Sequence, residues 1–146
     1  MTTSQISYPW SEISGWTSES YTRDGVEWTR YIGPGGTEIN IGPDVTIGHD
    51  VTIGPGATIG DGATIGGGAT IGPDATIGPG ATIGPDVTIG DDVTIGLDAT
   101  IGDDAYIGDG ATIGHVAYIG SRVHIGDGTT IGSRAYIGEG ATIDHD

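Results

Sequence analysis

The chain has 146 residues, a formal net charge of −16, no cysteine, and four basic residues that are all arginine. Without cysteine there can be no disulfide, thiolate zinc site or cysteine nucleophile, and without a basic stripe to neutralise phosphates nucleic acid is a poor partner. No apolar run is long enough to cross a bilayer, and Met1-Thr2-Thr3-Ser4-Gln5 lacks the charged and apolar regions of a secretory signal, so the sequence predicts no membrane insertion and leaves open a cytoplasmic or an extracellular setting.

Residues 1–38 differ in kind from the rest and are expected to form an aromatic cap preceding a repeat domain over 39–146. They hold Trp10, Trp16 and Trp28 with Tyr8, Tyr21 and Tyr31, whereas the remainder has no tryptophan. Asp24-Gly25 lies between two alternating stretches and predicts a hairpin, because a type I′ turn needs positive φ at both central positions. A two-residue loop sets Tyr21 opposite Trp28 and Glu19 opposite Arg30, each pair contributing roughly 0.2–1 kcal/mol. An isolated hairpin is marginal in water, so these aromatic rings need a surface to pack on.

From Ile41 to Ile143 isoleucine recurs at every sixth position without interruption, followed by glycine until Asp144. A helix is excluded, since the period gives it no common face and Gly-Pro or Gly-Gly pairs would break it. In Val45-Thr46-Ile47 the valine and isoleucine share one strand face and the threonine takes the other, and Gly48 with the next two residues supplies a bend. Three repeats then close an 18-residue triangular coil, and stacked coils pair in parallel about 4.8 Å apart. The 18 isoleucines become three inward columns through about six coils, each contributing roughly 1.5–3 kcal/mol on burial.

Ile53-Gly54-Pro55-Gly56-Ala57-Thr58 and nearly every other repeat between residues 39 and 143 resemble the hexapeptide-repeat family. The resemblance implies an all-β fold, the left-handed parallel β-helix, and the left hand comes from that family alone. It also implies acyl transfer from a coenzyme A or carrier-protein thioester by trimers, in which a histidine acts as general base and loops or a carboxy-terminal helix build the pocket.

Stacking every eighteenth residue sorts the outward side chains into columns. One holds Asn40, Thr58, Thr76, Thr94, Thr112 and Thr130; a second holds Thr46, Thr64, Thr82, Thr100, Tyr118 and Tyr136; the third holds Thr52, Thr70, Thr88, Tyr106, His124 and Thr142. The threonines invite comparison with ice-binding solenoids, although each face here has one column rather than two. One corner ridge gathers Asp74, Asp91, Asp92, Asp109 and Asp127, the candidate ligands for calcium, which takes six to eight oxygens. Arg122 is expected to pair with Asp104 one coil away. His49, His115 and His145 fall at corners and His124 on a face. His115 and His124 are too far around the triangle to share a metal within one chain, as the zinc sites of the family's carbonic anhydrases would require; His115 is the candidate base in an intersubunit groove.

Two features set the functional expectation. The array has no insertion from which to build a loop, and its final coil leaves Ile131, Ile137 and Ile143 without a visible cover. The sequence therefore predicts a non-enzymatic structural solenoid, without a cofactor, that self-associates head to tail into a filament. The front end would supply Trp10, Trp16, Tyr21, Trp28 and Tyr31 and the back end those three isoleucines. A trimeric acyltransferase and an ice- or calcium-binding surface are the alternatives, and the uniformity of the repeats also fits a consensus-designed solenoid.

Overall fold

A hexapeptide holds just enough chain for a two-residue strand and a corner, and such a strand is stable only when the next coil pairs with it. The computed structural model describes residues 7–144 and has this arrangement throughout. A short strand β1 (Tyr8–Pro9), one helical turn α1 (Trp10–Ile13), a hairpin of β2 (Thr17–Arg23) and β3 (Val26–Ile32), and β4 (Glu38–Ile41) come first. Then follow β5 (Thr46–Ile47), β6 (Thr52–Ile53) and fifteen further two-residue strands at six-residue intervals, from Thr58–Ile59 to Thr142–Ile143.

These strands form three walls of a left-handed parallel β-helix of about six coils. The wall that begins at β5 has six strands, the β6 wall has seven because β1 joins it, and the β4 wall has eight because β3 and β2 join it. Within the array the register is 18 residues, as in Thr76 against Thr58 and Thr94, or Ile89 against Ile71 and Ile107. The core is dry: the isoleucines from Ile53 to Ile125 are at most 1% exposed, and the alanine or valine two residues before each is buried with them. No buried polar or charged residue occurs among the described residues.

Two backbone requirements explain the repeat motif. From Gly42 to Gly120 the glycine after each core isoleucine passes close to the coil below; a Cβ on Gly72 would stand 2.6 Å from the Gly90 carbonyl carbon, inside any tolerable contact. The second corner residue, two positions later, takes left-handed φ in every coil, and glycine or aspartate holds most of these places. Val116, Arg122 and Arg134 occupy the same place at φ 64°, 59° and 64°. The β-branched Val116 is the most strained of them, because its Cβ crowds the backbone in that conformation.

The amino-terminal segment packs on its own chain. Asp24 and Gly25 both have positive φ, and the hairpin register places Tyr21 against Trp28 and Glu19 against Arg30, as the turn dictates. β3 runs antiparallel to β4 and β1 antiparallel to β6. The Trp10 amide donates to the Val51 carbonyl at 2.7 Å, which sets α1 across the top of the coil and buries Ile13 completely. Trp10 meets Tyr31 edge-on at 5.4 Å, and Tyr8 meets Trp16 likewise at 4.9 Å. On the outer side, Arg30 bonds Glu19 at 2.6 Å and lies over the Tyr21 ring, while Arg23 covers Trp28. The last described coil is looser, with Ile131 buried and Ile137 and Ile143 half-buried.

Candidate functional site

Since every coil has the same backbone, chemistry can differ only through the outward strand residue and the two corner residues. From residue 42 to 96 these are almost all threonine, proline, glycine and aspartate. From Leu97 onward they include Tyr106, His115, Val116, Tyr118, Arg122, His124, Arg134 and Tyr136. The 18-residue register stacks them into short ladders. Tyr106 and His124 lie 4.8 Å apart with their planes 9° from parallel on the β6 wall, and Tyr118 and Tyr136 lie 4.9 Å apart at 8° on the β5 wall.

The Tyr106–His124 ladder opens on a concavity of about 490 Å³ that Gly126, Asp127 and Asp144 complete. His124 projects from the middle of the wall into water on one side and against Tyr106 on the other, and its ring nitrogens have no hydrogen-bond partner among the described residues. Two carboxylates, those of Asp127 and Asp144, line the same concavity as the ring. The columns in the sequence place His124 beneath Tyr106; they do not single out Asp127 and Asp144 as its neighbours, although Asp127 follows it by half a repeat.

His115, the candidate base, is engaged otherwise. Its Nδ1 accepts the Leu97 backbone N–H at 2.9 Å. With that lone pair occupied, the neutral ring carries its proton on Nε2 and has no free lone pair with which to take another. The role has a precedent one corner away: Oδ1 of Asp109 accepts the Asp91 amide and Oδ1 of Asp127 accepts the Asp109 amide, both at 3.0 Å. These side chains serve a first corner residue whose N–H points down the stack, a donor that proline removes at Pro73, Pro79 and Pro85. Part of the ridge proposed for calcium is thus used to satisfy backbone, and Asp74 and Asp92 hold the left-handed corner position. Among the described residues no group of three histidine or acidic side chains is placed to share a metal ion.

The other expected residues fall into two groups. Trp10, Trp16 and Tyr31 pack against the core of their own chain, while Tyr21 and Trp28 lie on the outer hairpin, where Tyr21 donates from its hydroxyl to Asn40 at 2.9 Å. Arg122 pairs with Glu139 in the coil below, not with Asp104 in the coil above. His145 lies outside the described residues.

Comparison with known proteins decides the family. The model of the bacterial transferase hexapeptide (six repeats) matches residues 38–73, 68–96 and 111–145, and that of the hexapeptide repeat of succinyl-transferase matches 86–121. The chain belongs to the bacterial transferase hexapeptide family. Members of this hexapeptide family usually form homotrimers, so self-association in that coarse sense accords with membership. No curated protein matches the sequence.

Among solved structures, the hexapeptide chain resembles the acetyltransferase domain of PglB from Neisseria gonorrhoeae, with 24% identity, a TM-score of 0.65, and coverage of 73% of this chain and 54% of that one. It also resembles a mutant GDP-perosamine N-acetyl transferase from Caulobacter crescentus, in complex with CoA and GDP-perosamine. There the identity is 21%, the TM-score 0.71, and the coverage 79% and 52%. A hexapeptide transferase family protein from Anaplasma phagocytophilum follows at 19%, 0.52, and 76% of each chain. These likenesses establish the shared fold, and the chain spans about half the length of the first two. The expectation of a non-enzymatic protein is corrected by this family, whose repeat is that of bacterial transferases. The expectation rested on the missing loops, but outward side chains of an unadorned coil can themselves supply ionisable groups, as His124 does.

Proposed function

We propose that the chain is an acyltransferase of the hexapeptide type, working as a trimer, that passes an acyl group from a thioester to an amine or hydroxyl acceptor with His124 as general base. The observation that carries this reading is His124 itself, an imidazole with no hydrogen-bond partner among the described residues, stacked flat against Tyr106 in a concavity that Asp127 and Asp144 also line. In the reaction, neutral His124 takes the acceptor's proton as the acceptor attacks the thioester carbonyl. The carbon–sulfur bond then breaks, and the leaving thiolate takes that proton back. Asp127 and Asp144 line the concavity in which that imidazolium forms. The concavity lies open on a wall, so a neighbouring copy in the trimer would close it and exclude water. A filament joined through the amino-terminal aromatic residues is disfavoured, because Trp10, Trp16 and Tyr31 already cover their own coil.

Thiol release from acetyl-CoA, followed colorimetrically with a panel of amine and hydroxyl acceptors, tests the proposal. His124→Asn should lower kcat by about 10²–10⁴-fold, while His115→Asn should leave it within a few-fold. Full turnover in the His124 variant would place the base elsewhere, and no release with any acceptor would end the acyl-transfer reading. Light scattering should give the mass of three chains.

A further inference from the structure

Among the described residues, the layer of chain above the first coil is built on two sides only. β3 lies on β4 and β1 lies on β6, each as an antiparallel strand, while β5 has its single partner in Thr64–Ile65 below. Burial follows this difference. Ile39 and Ile41 under β3 and Val51 and Ile53 under β1 are buried, but Val45 and Ile47, at the same inward positions of the same coil, remain half-buried. One coil down on the same wall, Ala63 and Ile65 are 0% and 1% exposed.

The missing third side is a notch of strand dimensions. Two concavities line it, separated by Trp10 and sharing Ile47. One of about 300 Å³ is walled by Tyr31, Ile41 and Val45, and one of about 260 Å³ by Pro9, Gly48 and His49. The backbone along it has no partner on that side among the described residues. Thr46 and Gly48 direct their amides down to Ala63 and Ile65, so the alternation of a strand turns the Ile47 amide and carbonyl up into the notch. Asp44 and Asp50 stand exposed at its two ends, and no lysine or arginine lines either concavity.

We propose that the open edge of β5 binds an extended segment of a partner protein, which adds as a strand and completes the layer. The segment has two apolar side chains two residues apart, one entering each concavity beside Trp10, and a basic residue on either flank facing Asp44 and Asp50. Its backbone meets the amide and carbonyl of Ile47, the mode in which main-chain bonds give affinity and alternate side chains give specificity. An extended strand is the occupant because the two other sides of the layer are already closed by extended strands. A basic one is favoured because both rims are acidic on a chain of net charge −16. The site is independent of the acyl-transfer reading and lies at the opposite end of the array from His124.

The test uses the full chain and a fluorescein-labelled peptide, Arg-Thr-Val-Thr-Ile-Thr-Arg, followed by fluorescence anisotropy at low salt. Saturable binding is expected, weakened about tenfold when glutamate replaces both arginines and lost when the backbone amides between valine and isoleucine are N-methylated. Asp44→Asn combined with Asp50→Asn, at exposed corners whose left-handed φ asparagine tolerates, should weaken binding by a similar factor without changing the melting temperature. Equal binding of the glutamate peptide, indifference to N-methylation, or no saturable binding would overturn the proposal. So would a sedimenting dimer that the two asparagines dissociate, since it would assign the edge to a second copy.

Discussion

The coils between residues 42 and 96 and those from Leu97 onward share a backbone and a core, yet they differ in every respect that bears on chemistry. The first set presents threonine on its walls and proline, glycine or aspartate at its corners. The second presents stacked rings, two arginines and a β-branched residue at a left-handed corner. The difference teaches that in this solenoid stability and function draw on separate positions. Inward isoleucine, the following glycine and the corner conformation are set by the stack, while the outward residue is free to carry a reactive group.

That separation can be tested by matched substitutions. Ile89→Asp, in the middle of a dry column, should cost more than about 4 kcal/mol and abolish a cooperative thermal transition. Ile137→Asp, half-buried, should cost about 1–2 kcal/mol and keep one. Circular dichroism melts of the pair would break the comparison if the two fell together. Next in size is Gly72→Ala, which forces backbone apart and should lose about 2–3 kcal/mol. Gly138→Ala, where an added Cβ meets nothing within 4 Å, should stay within about 0.5 kcal/mol in urea unfolding.

Two gains should follow in the half from Leu97 onward, where the corner and core rules are relaxed. Val116→Asn replaces a strained residue with one that accepts left-handed φ and should stabilise by about 1–2 kcal/mol. An unchanged melting temperature would show that the corner carries no strain. Thr129 sits at an inward place held by alanine or valine in every other repeat from Val45 to Ala141, and its hydroxyl is buried without a partner among the described residues. Thr129→Val should gain about 1 kcal/mol by chemical denaturation, the smallest of these effects.

Much of this was legible in the sequence, for identifiable reasons. The six-residue spacing of Ile41 to Ile143 leads to a triangular stack of 18-residue coils, its hand apart, and it placed Tyr106 over His124 and Tyr118 over Tyr136 by arithmetic alone. Asp24-Gly25 likewise fixed the register of Tyr21 and Trp28. The placement of β1 and α1 was not legible, because Tyr8–Pro9 and Trp10–Ile13 are too short to show a period and are held by contacts with Val51 and Ile53 far along the chain. Nor was the engagement of His115 by Leu97, since a corner histidine looks the same in sequence whether its ring faces water or caps the coil above. The want of loops speaks against catalysis in the sequence, yet a bare wall still presents an imidazole, that of His124, on its outward face.

The uninterrupted period also works as an address system. A residue's number fixes both its height and its wall: eighteen residues move a side chain one storey, and six move it to the next side of the triangle. Duplicating one hexapeptide between Tyr106 and His124 would leave core isoleucines, glycines and corners all in place, yet it would carry the imidazole around to a different wall and away from its ring partner. In such a molecule a change that is silent for folding can erase a site completely, so the length of the chain between two residues is inherited as strictly as the residues themselves.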